Sequence, residues 1–99
     1  MLYHITSQKI WNTQAGQPHY EADSLATNGF MHLATASQVA GVLARYYRDV
    51  PGLLMLHINP EALPDQALVR YEPATDGELF PHLYGPLPKA AIVLVQVLE

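Results

Sequence analysis

From Met1 to Thr6 a period of two sets Leu2, His4 and Thr6 on one side and the apolar Tyr3 and Ile5 on the other, which predicts a strand with a histidine on one face. Ser7 is placed to cap a helix from Gln8 to Ala15, where Ile10, Trp11 and Gln14 fall on one side and Gly16 suits the position past its end. Gln17 to Ala22 shows no period. Asp23 or Ser24 then caps a single turn through Thr27, which stops at Asn28-Gly29, a pair tolerant of positive φ. Phe30 to Ala34 is a second strand. Behind it, Thr35-Ala36-Ser37-Gln38 forms a capping box that opens the main helix, Ala36 to Tyr47. Val39, Val42 or Leu43, and Tyr46 make its inward stripe, and Arg45 and Arg48 its solvent side.

Pro51-Gly52 breaks that period, and Leu53 to Ile58 is apolar at nearly every position, as in a central strand covered on both faces. Asn59-Pro60 ends it, and Pro60 to Leu63 turns. Ala67 to Tyr71 is a fourth strand closed by Glu72-Pro73, and Asp76-Gly77 marks a turn. Glu78 to Pro88 holds Pro81, Pro86 and Pro88, each lacking a donor and extending the residue before it, which predicts a rigid non-helical ribbon. Ile92 to Leu98 is the last strand. The order places helices among the early strands and three strands at the end, an α+β arrangement in one compact domain over residues 1–99.

Composition narrows the function. Hydrophobic residues make 49% of the chain and charged ones 14%, the balance of a packed globule. Five Lys and Arg stand against nine Asp and Glu, and the basic residues are scattered, so a nucleic-acid partner is not expected. With zero cysteines there is no disulfide framework and no thiolate nucleophile, and a metal would need His and carboxylate ligands. The start of the chain shows no basic-then-apolar leader, and its longest apolar run near the end, Ala90 to Val95, is far short of the roughly 20 residues of a membrane helix. A cytoplasmic protein off the membrane is expected, as a monomer or weak homodimer.

Three histidines occupy unusual contexts. His4 lies on a strand, where a neutral imidazole donates one hydrogen bond and accepts another, enough to hold a sugar hydroxyl. His32 precedes a helix start whose amides favour an anion such as phosphate. His82 sits in the constrained run Phe80-Pro81-His82-Leu83-Tyr84-Gly85-Pro86. These three are the candidate catalytic residues of one pocket. His19 and His57 fit a surface position and a satisfied interior position. Tyr20, Ser24, Thr35, Glu72 and Tyr84 are the candidate ligand contacts, the aromatic rings by stacking and Glu72 as an acid or acceptor. Nothing around Ser24 makes it a nucleophile. A site of three neutral histidines holding zinc and a water is the competing arrangement, though the spacing matches no compact ligand motif. A third is a module that binds a metabolite without chemistry.

Tyr3-His4-Ile5, Trp11, Gly16 to Tyr20, Ser24-Leu25, Gly29 to Thr35 with Gln38, and the Phe80 to Pro86 run together resemble a bacterial family known as domain of unknown function 952. That family in turn resembles a minimal ADP-ribosyltransferase-like fold, in which NAD lies in a cleft between two small, mostly antiparallel sheets with two or three flanking helices. The resemblance implies NAD as a cofactor and a nucleotide-like small molecule as partner, with no metal. It also implies that His4 orients the nicotinamide ribose, that His32 stands where those enzymes stack a tyrosine on the nicotinamide, and that His82 is a base or acceptor contact. Their late-strand glutamate has no counterpart here, so His82, Glu72 or Glu78 would have to substitute.

Overall fold

The computed structural model describes residues 1–98. Strand β1 (Leu2–Ser7), helix α1 (Gln8–Thr13), strand β2 (His19–Tyr20), helix α2 (Asp23–Asn28), strand β3 (Met31–His32) and helix α3 (Val39–Tyr46) make the first half. Strands β4 (Leu53–Ile58), β5 (Val69–Pro73), β6 (Leu79–Leu83), β7 (Leu87–Pro88) and β8 (Ile92–Leu98) make the second. Single 3₁₀ turns at Ala36–Gln38, Pro60–Ala62, Gln66–Leu68 and Lys89–Ala91 join them.

Pairing is antiparallel throughout. One three-stranded sheet runs β1-β4-β8 and the other β3-β6-β5, with a two-stranded ribbon of β2 and β7. The predicted α+β class with two small antiparallel sheets and a few helices is what forms. β4 is central, as its continuous apolar run requires. Its register sets Leu2 against Ile58, His4 against Leu56 and Thr6 against Leu54, and all six side chains are buried on one face. The core gathers that face with Tyr20, Met31, Leu33, Leu63, Leu83 and Leu87. Trp11 packs against it from α1, as an aromatic anchor should.

Several elements differ from the sequence-based expectation. Ser7 does cap α1, its hydroxyl accepting from the Ile10 amide at 3.0 Å, but the helix ends at Thr13. Part of the irregular loop becomes β2, because Gln14 clamps Glu21 through both amide and carbonyl at 2.8 Å and holds the chain against β7. Asp23 and Ser24 lie inside α2, which starts after Ala22 with no side-chain cap. Gly29 ends α2 at φ 84°, a conformation glycine adopts freely. The capping box at Thr35 and Gln38 forms, but it opens a 3₁₀ turn that passes into α3 at Val39. Tyr46, expected inward, is 70% exposed.

The largest correction concerns the proline ribbon. Its middle is β6, the central strand of the second sheet, flanked by β3 and β5. Pro81 fits there because its carbonyl, which accepts from the Leu33 amide at 3.0 Å, points toward β3, and a residue's missing N–H points the same way. β3 is ending at that level: Ala34 has already left to bridge Tyr3 on β1, the two residues exchanging both main-chain bonds at 2.8 Å. That bridge joins the two sheets. Gln38 ties the turn before α3 to β6, donating to the Leu79 carbonyl at 2.7 Å and to Glu78 Oε2 at 3.0 Å.

Candidate functional site

β1 is an edge strand beyond the Tyr3–Ala34 bridge, and a cavity of about 800 Å³ runs along that edge. It is bounded by β1, the start of α2, β3, α3 and the β5–β6 turn, so residues from both faces of β1 line it. His4, His32 and His82 all face this one space. The size falls within the range of small-molecule sites, roughly 300–1,000 Å³.

His4 is buried, and its Nδ1–H donates to the His32 carbonyl at 2.7 Å. Nε2 lies 3.2 Å from the Tyr20 hydroxyl oxygen, which itself donates to Thr6 Oγ1 at 2.7 Å. Since a carbonyl only accepts, the neutral ring carries its hydrogen on Nδ1 and its lone pair on Nε2. The Tyr20 proton thus has two acceptors in reach, Thr6 and His4. Burial lowers the His4 pKa to about 4, against the raising effect of the bond to the His32 carbonyl. Burial raises that of Tyr20 to about 12. Sequence reasoning placed His4 on a sugar hydroxyl; with both nitrogens engaged inside the protein, it instead positions the Tyr20 hydroxyl at the cavity wall. Tyr20 is no stacking platform either, because its ring is buried between His4 and Trp11.

His32 and His82 are directly opposed on β3 and β6, with ring centroids 5.4 Å apart and edge to face. Period two sets Phe30 beside His32, and Phe80 and Tyr84 beside His82, on the same face. Phe30 stacks on His82 at 4.0 Å and 16°. Desolvation, reinforced by the neighbouring His82, holds the His32 pKa below its ordinary value.

Behind His82 stands Glu72, two residues along β5 from Arg70, the partner of His82, its Oε1 accepting from His82 Nδ1 at 2.8 Å and from the Tyr84 hydroxyl at 2.6 Å. Those two donors hold the Glu72 carboxyl below the usual range, and the same bond raises Tyr84. The Arg70 guanidinium covers the Tyr84 ring at 4.6 Å. An imidazole oriented through Nδ1 by a carboxylate exchanges its proton at Nε2, the arrangement of a general base. Glu72 and Tyr84 therefore reach the cavity only through His82. Glu78 spends its carboxylate on Gln38.

Of the remaining candidates, Ser24 lines the cavity from α2. Thr35 lies off it, its amide bonded by Gln38 Oε1 at 3.0 Å and its hydroxyl engaged in the cap. The helix amides expected to attract an anion beside His32 are thus partly consumed. His19 is exposed on β2, and His57 bonds Gln96 at 2.8 Å, both away from the lining. Among the described residues no group of three His, Asp or Glu is disposed to hold a metal, and His4 has no nitrogen left for one. Sequence reasoning missed Phe30 and Asp23. The first was legible in the Phe30-x-His32 alternation, while nothing local marks the second as a wall residue.

A family model described as protein of unknown function (DUF952) matches residues 5–95. The chain belongs to this family. Its fold is similar to protein CC0527 from Caulobacter crescentus: the crystal structure has a TM-score of 0.87 at 27% identity, covering 99% of this chain and 85% of that one. The solution structure of CC0527 gives 0.82 at 28% identity, covering 99% and 84%. No curated protein matches. Among the described residues no helix is long and apolar enough to cross a membrane.

Proposed function

We propose that the chain binds a nucleotide-like small molecule, of which NAD is the type, along the edge of β1, with His82 as the proton acceptor of a transfer reaction. The observation that carries this reading is the meeting of three histidines from separate strands in one ligand-sized cavity, one of them oriented by a carboxylate. The β1 edge supports it. Tyr3 turns its N–H and C=O outward to Ala34, so by alternation Ile5 turns the same pair outward along the cavity. A main-chain donor and acceptor side by side suit a carboxamide such as that of nicotinamide.

In this reading the ligand's ring lies against Ile5, and a ribose hydroxyl meets the Tyr20 hydroxyl that His4 positions. The nicotinamide–ribose bond breaks with its electron pair leaving on the ring nitrogen. An acceptor hydroxyl bonds the ribose carbon and gives its proton to His82 Nε2. Glu72 and Tyr84 hold His82 for that step. The missing late-strand glutamate of ADP-ribosyltransferases is answered by this pair, with Glu72 one residue removed from the ligand.

Calorimetric titration with NAD, followed by chromatography for released nicotinamide, tests the proposal. Saturable binding is expected, with release slowed at least 100-fold by His82→Ala, the usual scale of a lost general base. Binding of neither NAD nor nicotinamide would remove the nucleotide reading.

A further inference from the structure

The charge of the cavity wall restricts what enters it. Neither lysine nor arginine lines the cavity, while Asp23 contributes a carboxylate. The nearby cations are already engaged: Arg45 with Asp76 at 3.8 Å, Arg70 over Tyr84 beside Glu72, and Lys89 on the Gln14 carbonyl at 2.6 Å. Lys9 and Arg48 are exposed and off the lining. The two imidazoles whose protonation is perturbed, His4 and His32, are both held toward the neutral form. The 3₁₀ turn behind His32, which sequence reasoning offered to a phosphate, is capped by Thr35 and Gln38. A phosphate taken into this space would lose water and meet no fixed positive charge.

The same lining includes the aromatic residues Tyr46, Tyr47 and Phe80, while the Tyr3 ring packs edge-on against His57. Such rings attract a flat cation, and the attraction is stronger where water is excluded. Resting on the nucleotide reading above, we infer that the cavity selects the phosphate-free, cationic nucleoside portion of its ligand, a ribosylated pyridinium, and leaves any phosphates outside. The determinant is the pairing of Asp23 with the aromatic wall in the absence of a lining Lys or Arg.

The test compares nicotinamide riboside with its 5′-phosphate by calorimetry on the full chain, at low and high salt. The riboside is expected to bind at least tenfold more tightly, about 1.4 kcal/mol. In Asp23→Asn the preference should narrow severalfold with only a small loss of thermal stability, since Asp23 is exposed in the first turn of α2. Raising the salt should narrow it in the wild type as well. Tighter binding of the phosphate form overturns this inference and leaves the nucleotide reading standing. Failure of both compounds and of NAD to bind overturns both.

Discussion

His4 concentrates the tension between burial and function in one ring. Its protonation midpoint is lowered from 6.5 to about 4 by burial, so folding favours the neutral ring. The stability this provides is present in full above pH 6.5 and is lost as the pH falls toward 4. Linkage puts the loss at about 3 kcal/mol. His32, lowered as well, adds in the same direction. Denaturant midpoints measured across this range should therefore fall with acidity. His4→Asn, whose amide can still donate to the His32 carbonyl, should flatten the profile; an equally steep profile in that variant would assign the effect elsewhere. Glu72 makes a second prediction. Its bond raises the Tyr84 pKa, so Glu72→Gln should bring tyrosinate absorbance from Tyr84 in at lower pH, with Tyr84→Phe identifying the signal. Of these residues the histidines were legible in sequence by their contexts. The bonds that redefine their roles were not, because His32, Tyr20 and Glu72 reach them across 28, 16 and 10 positions of chain.

Elements show the same division between local and distant causes. β1 and β4 were legible because alternation and an unbroken apolar run are local patterns, and the capping box at Thr35 because its two bonds lie within four residues. For the stretch that holds β6, the three prolines between Glu78 and Pro88 predict a rigid non-helical ribbon and give no sign of a central strand. The structure admits Pro81 only because β3 ends where its N–H would be needed. No window of sequence around Pro81 contains that information. The box also ties α3 to β6 through Gln38, so removing it acts on both elements. Thr35→Ala should cost about 1 kcal/mol, and Gln38→Ala more than that, by denaturant unfolding. Equal costs would mean that the Leu79 and Glu78 bonds contribute nothing.

At the scale of the molecule, two three-stranded antiparallel sheets and the β2–β7 ribbon come together, the larger sheets joined at the Tyr3–Ala34 bridge, with the cavity opening where β1 runs on unpaired. The bridge brings the His32 carbonyl to His4 and turns the main chain of Ile5 toward the cavity. β8 forms the opposite edge of that sheet, and Val93, Leu94, Val95 and Val97 are exposed along it with no charged residue between Ile92 and Leu98. Unprotected edges of this kind favour self-association. Sedimentation at high concentration should show association that Val95→Lys reduces.

The central claim is that His4, His32 and His82 belong to one ligand site. Histidine ring NMR during titration with NAD, ADP-ribose and nicotinamide tests it most directly, with the exposed His19 as control. Ring resonances of His4, His32 and His82 moving together along one binding curve, with His19 still, is the predicted result. Movement of none of the three, or of His19 alone, would contradict the account.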